Sequence, residues 1–203
     1  VAENGISRRS WRLAASVLSE ARGEIPFVMT AGNHDYSYIL PSARYFKNLF
    51  PAPYADNSSK RRNTWYSMTI ASVHIAVLDT EAAGRRFHTQ IDWLKEDLAT
   101  AREAGARWLF ISMHRPLLST ATAPGNARWA RELLPLAGEY GVDAVFWGHD
   151  HLFEHYLYQY GLNGYVFSPT DDVAVEPTHL FTVGTLGARV DPTYVTFFFH
   201  PPY

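Results

Sequence analysis

Three short stretches of this 203-residue chain concentrate the side chains that bind metals or move protons: Asn33-His34-Asp35, the lone His114, and His149-Asp150-His151. Neutral imidazole suits borderline ions such as Zn, Mn or Fe, and an amide carbonyl oxygen completes a coordination shell without adding charge. The sequence has no cysteine, which excludes thiolate sites, disulfides and a Cys nucleophile, so any metal must rely on His, Asp, Glu or Asn. A two-metal hydrolase holds its ions ~3.5–4 Å apart to activate water and polarise a phosphoryl oxygen. The spacing His149-x-His151 fits that demand, because a turning chain can offer its two imidazoles to neighbouring ions.

Each stretch follows an apolar run. Residues 25–30 lead into Ala31-Gly32-Asn33, residues 108–113 into His114, and residues 142–147 into Gly148-His149. Strand ends are where α/β sheets build their sites, so the pattern predicts three strands delivering polar residues to one sheet edge. Helices are expected between them, over 90–103 with Ile91, Leu94, Leu98 and Ala101 on one face and Gly105 as the stop, and over 127–140. Residues 64–79 alternate as two strands meeting near Ala71-Ser72, a hairpin. Further strands are expected at 152–158 and 165–168 around a turn at 159–164, and near 180–183 and 194–199. Residues 36–63, with Pro41, Pro51 and Pro53, read as a long surface excursion in which Tyr36 and Tyr38 are rim elements or, as aromatics near a strand end more often are, packing residues.

At the start, Ser7-Arg8-Arg9-Ser10-Trp11 is similar to a twin-arginine export signal, but the apolar stretch behind it is short and is broken by Glu20 and Arg22. The spacing instead predicts a helix over 7–21 that buries Trp11, Ala14, Ala15, Leu18 and Ala21 and ends at Gly23. Composition is near the globular average, with 47% hydrophobic, 15% aromatic and 19% charged residues, which predicts one domain over 1–203. A formal charge of −2 with no basic stripe argues against nucleic acid as a partner. No apolar run reaches the roughly 18–20 residues of a membrane span, so no membrane segment is expected. The oligomeric state is left open.

Taken in order, Gly32-Asn33-His34-Asp35, His114 and Gly148-His149-Asp150-His151 resemble the GNH(D/E), H and GHxH blocks of the calcineurin-like metallophosphoesterase superfamily. Trp65-Tyr66-Ser67, Val77-Leu78-Asp79-Thr80-Glu81, Gln90-Ile91-Asp92-Trp93-Leu94 and His114-Arg115-Pro116 are similar to its purple acid phosphatase-like branch. The resemblance covers roughly residues 4–183. It implies an α/β (α+β) fold, a two-sheet mixed β-sandwich flanked by helices with metals at the sheet C-terminal edges. It also implies hydrolysis of a small phosphorylated substrate, a phosphomonoester or small phosphodiester, by two divalent or trivalent ions (Mn, Zn or Fe) with a metal-bridging hydroxide as nucleophile. Carried across, Asn33, His114 and His149 hold the second metal, His151 the first, His34 assists the leaving group and Asp35 orients it. Arg115 adds a donor to a phosphate oxygen or is a surface arginine ahead of a proline-containing loop. The remaining imidazoles, His74, His88, His155, His179 and His200, match no block and are read as structural.

The family's two earlier blocks, an Asp-containing block and a GD that carries the bridging carboxylate, have no counterpart in these residues. The resemblance therefore implies a domain that is N-terminally incomplete, truncated at both ends and inactive by itself, with an exposed apolar sheet edge beside 27–30. The alternative is a degenerate, non-catalytic binding domain of the same fold. Relatives in this branch are often exported, which points outside the cytoplasm.

Overall fold

A computed structural model describes residues 7–21, 27–36, 43–50, 64–82, 85–121, 125–159, 166–167 and 176–185. The expected strand at 194–199, most of the turn at 159–164, Tyr38, the polar run 56–63 and His200 lie outside them. Helix α1 (Arg8–Ala21) opens at Ser7, whose hydroxyl accepts the Ser10 N–H at 3.2 Å. It buries Trp11 and Ala14, while Ala15 and Leu18 are half-buried. Inside the expected excursion a six-residue helix, α2 (Arg44–Leu49), packs Phe46 with Phe50, Ala43 and Trp11 into a small second core.

Strands β1 (Tyr66–Ile70) and β2 (Val73–Val77) form the expected hairpin, with Ala71 in the left-handed region at φ 53° in its turn. The chain then alternates through α3 (Arg85–Glu103), β3 (Trp108–Ser112), α4 (Ala127–Glu139) and β4 (Ala144–Trp147). Three more strands follow, β5 (Phe153–Tyr158), β6 (Val166–Phe167) and β7 (Thr178–Val183). All described strands belong to one mixed seven-stranded sheet in the order β1-β2-β3-β4-β7-β5-β6. The run β2-β3-β4-β7 is parallel, and β1 and β5 pair antiparallel at its flanks. Parallel neighbours need crossovers, and α3 and α4 supply two of them.

Periodicity explains the main core. Ile91, Leu94, Leu98 and Ala101 of α3 are buried against Ala76, Leu109, Ile111 and Val145 of the sheet. Removing one such leucine side chain from water stabilises by about 1.5–3 kcal/mol. The helix begins at Arg85 rather than at the expected 90, because Phe87 is also buried, edge-to-face with Trp129 of α4 at 4.7 Å. The opposite sheet face carries Phe110, Phe146 and Phe181, which are only half-buried, with Phe146 stacked on Phe181 at 5.3 Å. No helix among the described residues is long and apolar enough to cross a membrane.

Residues 27–32 correct one expectation: they form no strand. Their backbone is held by side chains instead. The Tyr66 hydroxyl accepts the Met29 N–H and donates to the Met29 carbonyl, both at 2.9 Å, and the Thr30 hydroxyl meets that of Ser112 at 2.6 Å. Among the described residues no sheet edge is therefore formed at 27–30.

Candidate functional site

The parallel strands bring their C-terminal ends to one level. Beyond the strands the ladder continues, with Leu78 N–H to Ser112 O at 2.8 Å, Met113 N–H to Phe146 O at 2.9 Å and Gly148 N–H to His114 O at 3.1 Å. His114 and His149 are therefore neighbours by sheet register. At His149 the backbone enters the left-handed region, φ 68°, a conformation that non-glycine residues adopt rarely and mostly under functional constraint. The third contributor arrives from the 27–32 segment, which ends in a single 3₁₀ turn over Asn33–Asp35. Asp35 closes that turn by accepting the Gly32 N–H at 2.8 Å.

The three segments converge. Asn33 Oδ1 lies 2.7 Å from His114 Nε2, and His149 Nδ1 lies 3.2 Å from the same atom. Burial, reinforced by His149 and then Arg115, pushes the His114 imidazole down to about 3 from its ordinary 6.5. Burial and Arg115 also lower His149. The His114 ring is thus neutral in neutral and mildly acidic solution, and His149 is biased toward its neutral form. One nitrogen of His114 cannot satisfy an amide oxygen and a second imidazole nitrogen together. Donor atoms about 3 Å apart are what ligands roughly 2.0–2.2 Å from one ion require. The trio therefore fits a cation. Among the described residues no carboxylate joins it, since no group of three or more His, Cys, Asp or Glu is placed to hold an ion.

The other expected site residues stand around the trio. His34 is exposed on the 3₁₀ turn, and its charge opposes protonation of His114. His151 is half-buried two residues beyond His149 and acts on it in the same way. Asp35 is buried; its Oδ2 serves Gly32, its Oδ1 has no hydrogen-bond partner among the described residues, and burial raises its pKa. Asp150 is buried as well, also with one carboxylate oxygen lacking such a partner. Arg115 joins the centre directly, with Nη1 3.1 Å from His149 Nε2, while Nε and Nη2 hold both oxygens of Glu81 at 2.7 and 3.1 Å.

Sequence reasoning assigned no role to Asp79, Thr80 and Glu81, although the run stands at the end of a strand, the position that marked the other site segments. The hydroxyl of Tyr36, read from sequence as either a rim or a packing residue, donates inward to the buried Asp79 carboxylate. Burial raises the pKa of both groups. Glu154 accepts from the Thr120 N–H and hydroxyl and from the Tyr156 hydroxyl, pinning the loop after Arg115. His74 bonds Asp97 and Thr69, and His155 pairs with His179 at 2.8 Å, apart from the trio.

Known proteins are similar to this chain by sequence and by structure. Purple acid phosphatase 18 of Arabidopsis thaliana is 29% identical over 72% of this chain and 35% of its own length. A phosphoenolpyruvate phosphatase of Allium cepa is 31% identical over 71% of this chain and 31% of its own. The chain thus spans about a third of the length of these relatives. The structure of a purple acid phosphatase from yellow lupin (Lupinus luteus) seeds superposes with a TM-score of 0.76 over 93% of this chain and 36% of its own, at 18% identity, and so shares the fold. The family model described as calcineurin-like phosphoesterase matches residues 4–153, a span that contains Asn33, His114, His149 and His151. This chain belongs to the calcineurin-like phosphoesterase family.

Proposed function

We propose that these residues form the leaving-group side of a two-metal phosphoesterase centre acting on a small phosphomonoester or phosphodiester. The observation that carries the reading is the meeting of Asn33 Oδ1, His114 Nε2 and His149 Nδ1 from three segments distant in sequence. In this reading the trio holds one ion and His151 contributes to a second. When bound, the metals, Mn, Zn or Fe, would supply charge neutralisation at the phosphoryl oxygens and activation of a water as nucleophile.

The chain's own residues do the rest. His34, exposed beside the trio, gives a proton to the departing oxygen, and Asp35 fixes the turn that carries it. Glu81 takes two of the five N–H hydrogens of Arg115, and those that remain serve a phosphate oxygen. Kinship with the purple acid phosphatase branch carries an expectation of action outside the cytoplasm.

The test is hydrolysis of p-nitrophenyl phosphate and bis(p-nitrophenyl) phosphate by the full chain across Mn, Zn and Fe, beside Asn33→Ala. Turnover that requires both metal and Asn33 is expected, and the ratio of the two substrates reports the ester class. A folded full chain that takes up no metal and turns over neither ester would replace this reading with a non-catalytic binding domain.

A further inference from the structure

We propose that Asp79 is a positioning residue of this centre, acting through the Tyr36 hydroxyl to hold the Asn33–Asp35 turn against His114; this rests on the metal-site reading above. Among the described residues no sheet ladder supports that turn, because 27–32 form no strand. Within it the Asp35 N–H bonds Gly32 O at 3.0 Å and the Tyr36 N–H bonds Asn33 O at 3.3 Å. A single 3₁₀ turn makes too few bonds, of too poor a geometry, to hold its own place. Anchors on either side of it must fix where Asn33 Oδ1 lies.

On the entry side Tyr66 holds the Met29 backbone and Ser112 meets Thr30. On the exit side the Tyr36 hydroxyl donates to Asp79 Oδ2, and the buried Thr64 is hydrogen-bonded to the same pair. Asp79 is itself fixed at the end of β2. Its Oδ1 accepts the N–H groups of Glu81 and Ala82 at 3.0 and 3.1 Å, which closes the loop on itself. The buried Gln90 amide of α3 grips the Asp79 backbone, accepting its N–H at 2.8 Å and donating to its carbonyl at 3.0 Å. Burying a carboxylate is costly unless hydrogen bonds satisfy it, and these separate segments do so. One residue earlier, the Leu78 N–H bonds Ser112 O at 2.8 Å, two residues before His114. The register that places His114 therefore also places Asp79, and Tyr36 passes that placement to the turn. Asn33 Oδ1 arrives 2.7 Å from His114 Nε2.

The test is calorimetric titration of Mn(II) and of Zn(II) into the full chain, comparing wild type, Tyr36→Phe, Asp79→Asn, Asp97→Ala and Asn33→Ala, with thermal melts of the metal-free proteins. Tyr36→Phe keeps the ring packed on the second core but releases the turn from Asp79. It is expected to weaken metal binding by roughly 10–100-fold, the usual effect of losing a group that orients a ligand. Asp79→Asn keeps an oxygen for the loop and an amide that can bond the Tyr36 hydroxyl, so it should bind metal more tightly than Tyr36→Phe. Asp97→Ala, at the far edge of the sheet, separates positioning from stability: it should melt lower and bind as wild type does. Wild-type affinity in Tyr36→Phe, alongside lost binding in Asn33→Ala, would overturn the role of Asp79 and leave the metal site standing. An equal loss in Tyr36→Phe and Asp97→Ala would overturn it too, because it reports general loosening. Equal binding by Asn33→Ala and wild type, or none by either, would instead overturn the metal-site reading and this role with it.

Discussion

The imidazole of His114 occupies the space that a side chain at Gly32 would need: a Cβ there would lie 2.7 Å from Cε1 of the ring and 2.9 Å from Nε2. Contacts that short force a shift, and the ring cannot yield without leaving Asn33 and His149. Gly32→Ala is therefore expected to cost about 1–3 kcal/mol, as overpacking does, and to weaken metal binding at least tenfold. Denaturant unfolding and metal titration check the two effects separately. Unchanged metal affinity would show that the ring position is not what the site depends on.

Acid should loosen the metal-free protein through His114. Its folded pKa, about 3, lies below the ordinary 6.5, so between those values the unfolded chain binds more protons. The stability contributed by the neutral ring is then fully present above about 6.5 and is lost as pH falls toward about 3. Asp35 and Asp79, shifted upward by burial, act in the opposite sense, so the comparison must be with His114→Asn, which shares them. The stability difference between wild type and variant should shrink steadily across that window, measured by urea unfolding. A difference independent of pH would contradict the assignment.

At the far edge of the sheet a hydrogen-bonded chain ties the hairpin to α3. Thr69 meets His74 Nδ1 at 2.9 Å, His74 Nε2 meets Asp97 at 2.8 Å, and the Ser67 hydroxyl donates to Asp97 at 2.5 Å. Asp97→Ala leaves the buried His74 nitrogen unsatisfied, and a loss of about 1–3 kcal/mol is expected with metal affinity intact. Denaturant unfolding and calorimetry decide it. A loss of metal binding would mean that this edge is coupled to the site.

The hairpin turn holds Ala71 at φ 53°, where a Cβ is disfavoured by roughly 1–2 kcal/mol. Ala71→Gly should accordingly raise the melting temperature slightly, the lost strain exceeding the added chain entropy. A lower melting temperature would count against that turn geometry.

Periodic segments were legible from residue order alone. Ile91, Leu94, Leu98 and Ala101 are buried as their spacing requires, and the ends of β3 and β4 deliver His114 and His149 to one edge. Local pattern failed where distant partners decide. Residues 27–30 are apolar enough for a strand, yet Tyr66, 37 residues away from Met29, takes the backbone groups a ladder would have used. Six residues are too few for α2 to show a helical period. The ligand types announced themselves, whereas Glu81 and Arg115 lie 34 residues apart, and nothing in their spacing says which acid this arginine meets.

The most direct measurement is anomalous diffraction from crystals of the full chain loaded with zinc. The account predicts a peak about 2.0–2.2 Å from Asn33 Oδ1, His114 Nε2 and His149 Nδ1 together. Zinc bound elsewhere, for example at the His155–His179 pair, with no density among these three atoms, would contradict it.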